Sequence, residues 1–63
     1  MEKHIITLCG PGCCPACPEI FVNESKDVAQ QVRITDDFGH EIFMSKGQFN
    51  ILTAKAKNGE LEI

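Results

Sequence analysis

Apolar and polar positions alternate most clearly from Val28 to Thr35: Val32 and Ile34 fall on one side, Arg33 and Thr35 on the other. A period of two marks a half-buried strand. Asp36-Asp37-Phe38-Gly39 interrupts it with turn residues, and Gly39 can take the positive φ that a short hairpin loop needs. His40 to Met44 then returns as the partner strand, so a hairpin is expected over about residues 28–44. Earlier in the chain, residues 3–8 are β-prone and stop at Cys9-Gly10-Pro11-Gly12, and an apolar run restarts at Glu19 to Val22.

The pattern changes after Met44. Ser45 with Gln48 three residues later has the form of a capping box, and Met44 with Phe49 that of a hydrophobic staple. Lys55 and Lys57 suit the negative end of a helix dipole, and Asn58-Gly59 supplies a left-handed stop. These signals predict a helix over about residues 46–57. At 100° per residue, Phe49, Leu52 and Ala56 form a stripe expected to lie on the sheet, while Gly47, Ile51 and Ala54 form a second, narrower strip. Phe21 and Phe43 also point away from their neighbours Ile20, Val22, Ile42 and Met44. One helix cannot cover both sets. A second packing surface is expected, met by a homodimer or a partner protein at the Ile51 face.

The elements make an α+β chain: a three- to four-stranded antiparallel sheet, one C-terminal helix and an N-terminal cysteine loop at 9–18, all in a single domain, 1–63. At 63 residues a hydrophobic core alone is marginal, so a metal, a disulfide or oligomerisation is expected to assist it. A net charge of −3 offers no basic field for phosphate backbones or anionic lipid, so neither nucleic acid nor membrane is an expected partner. The start, Met1 to Leu8, holds only a short apolar stretch broken by Thr7, and a cytoplasmic location is the expectation.

The cysteines change the picture most. All 4 lie in Cys9-Gly-Pro-Gly-Cys13-Cys14-Pro-Ala-Cys17. In a reducing compartment clustered thiols point to metal ligation or transient redox chemistry before structural disulfides. Zinc takes four tetrahedral ligands, often with two from a knuckle such as Cys14-Pro-Ala-Cys17; here Cys9 and Cys13 would have to close the site through the Gly-Pro-Gly turn. Adjacent Cys13 and Cys14 do not easily turn both sulfurs to one ion, so three cysteines with His4 or His40 is a variant. The spacing Cys9-x4-Cys14-x2-Cys17 matches the first three ligands of a plant-type iron–sulfur loop, but no downstream cysteine follows. Cys14-x-x-Cys17 also has the spacing of a redox dithiol, with Cys13 as a resolving thiol, although Pro15 and Pro18 disfavour a helix starting there. The order of expectation is zinc, then thiol–disulfide redox or thiol transfer, then an iron–sulfur cluster.

The remaining polar residues have simpler readings. His4 and His40 read as exposed strand and turn histidines, and Asp36-Asp37 as turn caps rather than an acid–base pair. No nucleophile with a base accompanies the thiols, so catalysis is not expected. The segment Val32-Arg-Ile-Thr-Asp-Asp-Phe-Gly-His-Glu-Ile-Phe-Met-Ser-Lys46 resembles the strand–turn–strand–helix opening of the AbrB-type swapped-hairpin family, which implies DNA binding. That family's basic residues and its strands after the helix have no counterpart here, which places DNA binding last.

Overall fold

The computed structural model describes residues 1–9 and 17–63. Four strands, β1 (Glu2–Thr7), β2 (Glu19–Asn23), β3 (Val32–Thr35) and β4 (Glu41–Met44), precede one helix, α1 (Lys46–Lys57). The sheet is an antiparallel meander in the order β1-β2-β3-β4, the α+β arrangement expected. Val28–Gln30 is a 3₁₀ turn rather than the start of β3. The alternation there does not decide the backbone, because Asn23 N donates to Gln31 O and the Gln31 side chain donates to the carbonyls of Glu24 and Lys26. Those bonds fold residues 24–31 into a compact connection.

Register sorts the side chains. Ile20 pairs with Ile34 and Val22 with Val32; Val32 pairs with Met44 and Ile34 with Ile42, so these six share one face. On β1, Ile6 opposite Ile20 joins them, after a bulge between His4 and Ile6 that leaves Ile5 without a partner across the pair. Phe21, Arg33 and Phe43 align across the opposite face. This face closes over its aromatics with cations. The Arg33 guanidinium carbon lies 4.4 Å from the Phe21 ring centroid, Lys26 Nζ lies 4.8 Å from that of Phe43, and the His4 ring meets Phe21 edge-on at 5.3 Å. Arg33 is clamped by Glu2 at 2.8 and 2.9 Å and by Glu41 at 2.8 Å. Those hydrogen bonds hold the Glu2 carboxyl below its ordinary pKa and push the guanidinium further up.

Local chemistry sets the turn and the helix ends. Asp36 Oδ1 accepts from Phe38 N at 2.8 Å and His40 N at 2.9 Å, and Gly39 takes φ +84°. Gln48 N donates to Ser45 Oγ at 3.1 Å while Ser45 N donates to Gln48 Oε1 at 3.0 Å, the reciprocal capping box. At the other end Gly59 N reaches Ala56 O and Glu60 N reaches Lys55 O, with Gly59 at φ +77°. This is a Schellman stop, and a Lys55–Glu60 ion pair at 3.3 Å stands where an apolar contact is common.

The helix stripe behaves otherwise than expected. Phe49 is half-buried, but no residue of α1 is buried; Leu52 is 41% exposed and Ile51 61%. The large apolar residues of α1 all lie before Thr53, and Thr53–Lys57 offers only alanines for packing. Among the described residues, those buried are Val32 at 1% and Ile20 at 8% exposure. The radius of gyration of 12.6 Å exceeds the ~10.6 Å of a compact chain this long, as a flat sheet with a marginal helix should.

Candidate functional site: the cysteine end of the sheet

A meander sends alternate connections to opposite ends of the sheet. The β1–β2 connection, which carries the cysteines, therefore shares an end with the β3–β4 turn, Asp36–His40. β1 and β2 are still paired where the loop leaves the sheet: Thr7 is opposite Glu19, and Leu8 N donates to Pro18 O at 2.7 Å. Cys9 N turns back to Thr7 O at 3.0 Å, closing a γ-turn of the kind that often starts a loop. Cys9 is exposed and Cys17 half-buried at the two ends of the connection. Cys13 and Cys14 lie outside the described residues.

A polar cluster underlies this end. Glu19 N donates to Thr35 Oγ1 at 3.1 Å, Thr7 Oγ1 donates to Glu19 Oε1 at 3.4 Å, and His4 Nε2 lies 2.9 Å from Thr7 Oγ1 and 3.2 Å from Glu19 Oε1. His4 thus reaches along β1 toward the loop, but its Nε2 is engaged with a carboxylate and a hydroxyl, the partners of a structural imidazole. His40 is 81% exposed in its side chain, with Nδ1 3.7 Å from Asp36 Oδ2. Among the described residues no three His, Cys, Asp or Glu side chains gather as a metal-binding group.

The sheet end is acidic. Glu19, Asp36 and Asp37 lie on it, and the sequence has no Lys or Arg between Lys3 and Lys26. Asp36 is kept ionised below the ordinary carboxyl range by the backbone N–H groups of His40 and Phe38. A field of this sign attracts cations and works against thiolate formation, whereas reactive thiolates sit in electropositive surroundings. The polar cluster of Thr7, Glu19 and Thr35 did not emerge from motif reading. Its signal is symmetry: Thr7 and Glu19 stand two residues outside Cys9 and Cys17, so a hairpin closing on the cysteines brings them opposite each other.

No protein-family model, curated protein or solved structure matches the chain. The AbrB-type resemblance therefore rests on Val32–Lys46 alone. Among the described residues no helix is long and apolar enough to cross a membrane.

Proposed function

We propose that this chain is a small, non-catalytic metal-binding domain that works in the cytoplasm and holds zinc through Cys9, Cys13, Cys14 and Cys17. The observation that carries the reading is the setting of the thiols. All four belong to one connection whose ends are held by paired strands at an acidic end of the sheet. Four soft donors suit zinc, and the surrounding carboxylates favour a cation over free thiolates. The same field slows thiolate reactions, which ranks the second reading, a redox dithiol at Cys14 and Cys17, below metal binding but does not prevent a disulfide from forming at equilibrium. An iron–sulfur cluster would need a fourth ligand from Cys13 or from a second chain.

The fold gives zinc a thermodynamic role. With so little side-chain surface buried, metal binding would contribute directly to folding. Protein purified without added metal should contain one zinc per chain, and chelation should lower its melting temperature, with Cys14→Ser and Cys17→Ser the most damaging single changes. Elemental analysis, thiol titration and thermal melts on one sample test this. Metal-free protein that melts at the same temperature as the purified form would overturn the reading.

A second copy of the chain or a protein partner at the Ile51 face completes the proposal. Its support is exposure: Ile51 and Leu52 on α1 and Ile6 and Ile42 on the sheet are left open to solvent. Apolar area of that extent on so small a domain is a surface that partners cover.

A further inference from the structure

The register of β1 and β2 carries an inference that stands independently of the metal. Thr7 pairs with Glu19, and Leu8 N donates to Pro18 O; the ladder ends there, and the same register carried one position further sets Cys9 opposite Cys17. Rungs of an antiparallel ladder alternate in type. Leu8–Pro18 is of the hydrogen-bonded type, with Pro18 lacking an N–H to return; Thr7–Glu19 and Cys9–Cys17 are then of the non-hydrogen-bonded type. In such a rung the N–H points away from the partner strand; Cys9 N does so, while its γ-turn bond to Thr7 O bends the chain at Leu8 as it leaves the ladder. Its Cα atoms stand ~4.5 Å apart with side chains close together, inside the ~4.4–6.8 Å range that a disulfide spans. The rung of the same type just before it already has touching side chains, Thr7 Oγ1 to Glu19 Oε1 at 3.4 Å.

We propose that Cys9 and Cys17, rather than the Cys14-x-x-Cys17 pair, are the redox couple of this protein, forming a cross-strand disulfide that closes the mouth of the loop. The oxidant is a low-molecular-weight disulfide such as oxidised glutathione. Cys9 thiolate attacks one glutathione sulfur and expels a glutathione thiolate. Cys17 thiolate then attacks the Cys9 sulfur of the mixed disulfide and expels the second glutathione. Two electrons pass to the glutathione disulfide, and the two thiol protons end on the two glutathiones. If zinc occupies the loop, this reaction withdraws two of its four ligands, so oxidation and metal retention oppose each other.

Chain statistics and strand register predict opposite pairings, which makes the test sharp. In an unstructured chain, closing the four residues 14–17 is favoured about threefold over closing the nine residues 9–17. In the folded chain the pairing of β1 and β2 up to Leu8 and Pro18 should bring Cys9 toward Cys17 and reverse that order by about tenfold or more, through a higher effective concentration of the two thiols. The experiment uses the reduced, metal-stripped full chain, equilibrated with glutathione buffers in native conditions and in concentrated urea. Differential alkylation is then read residue by residue, by fragmenting the tryptic peptide of residues 4–26. The expected result is a 9–17 disulfide in native buffer that gives way to 14–17 in urea. A native majority of 14–17, or a 9–17 fraction that urea leaves unchanged, would overturn the proposal. Zinc content is measured separately on untreated protein, so failure here leaves the metal reading standing and failure there leaves this one.

Discussion

Val32→Ala should remove half or more of the stability of this domain. Val32 lies in the inner strand β3 between Val22 on β2 and Met44 on β4, and it is 1% exposed. The substitution deletes two methyl groups, worth ~1.6 kcal/mol of transfer free energy at ~0.8 kcal/mol each. The cavity left between two neighbouring strands adds about 1 kcal/mol, because the ladder cannot collapse onto it. The sum is ~2.5 kcal/mol, against the ~3–5 kcal/mol that a core of this size supplies. At ~4–8 °C per kcal/mol the melting temperature should fall by ~10–20 °C. The chain has no Trp and no Tyr, so urea unfolding is followed by far-ultraviolet circular dichroism rather than intrinsic fluorescence. The control is Ile42→Ala, on the same sheet face but 57% exposed, which should cost ~1 kcal/mol or less with an unchanged m-value. If Val32→Ala costs under ~1 kcal/mol, or Ile42→Ala costs as much as Val32→Ala, the assignment of the core to the two inner strands is wrong. The second outcome would mean that another chain covers the Ile42 side of the sheet.

Two further outcomes follow from surface groups. Ile51→Lys should halve the mass seen by light scattering at micromolar concentration while the helical dichroism survives; a wild-type chain that is already monomeric, with Ile51→Lys unchanged in mass and melting, sinks the proposed interface. Asp36 has a native pKa below the unfolded value because Phe38 N and His40 N hydrogen-bond its carboxylate, so its contribution is complete above ~pH 4 and lost as pH falls through the native value. Asp36→Ala should therefore weaken the protein at neutral pH and close the gap to wild type in acid; two stability curves that run parallel from neutral to acid would refute this.

Features specified by adjacent residues were legible in the sequence. Ser45 and Gln48 are three residues apart, and their reciprocal bonds fix where α1 begins; Gly59 at positive φ fixes where it ends, and both came out as expected. Gly39 and Asp36 set the hairpin turn in the same local way. Features that depend on distant partners were not. Val28 continues a strand-like alternation, yet bonds from Asn23 and from the Gln31 side chain make that stretch a 3₁₀ turn and a compact connection. The stripe Phe49–Leu52–Ala56 has the right angular spacing, but spacing says nothing of depth: Phe49 is half-buried while Leu52 and Ala56 are exposed. The unexpected cover lies on the other sheet face. Two aromatics that had implied an outside partner are instead shielded by Arg33 and Lys26.

That shielding narrows where a partner is needed. With Phe21 and Phe43 satisfied by cations, and Arg33 further held by Glu2 and Glu41, the charged face is complete within one chain. Among the open apolar residues, Ile6 and Ile42 belong to the other sheet face and Ile51 and Leu52 to α1, while Leu8 and Phe38 lie at the cysteine end. The proposed assembly surface, the apolar face and helix, and the proposed thiol site, the end bearing Cys9 and Cys17, would then draw on largely different parts of the molecule. They remain coupled through β2, which contributes Ile20 to the small core and Glu19 to the cluster beneath the loop. A change at the thiols that loosened the β1–β2 register would reach Ile20 within three rungs, which is why the proposed metal binding and disulfide formation should move together with folding in this domain.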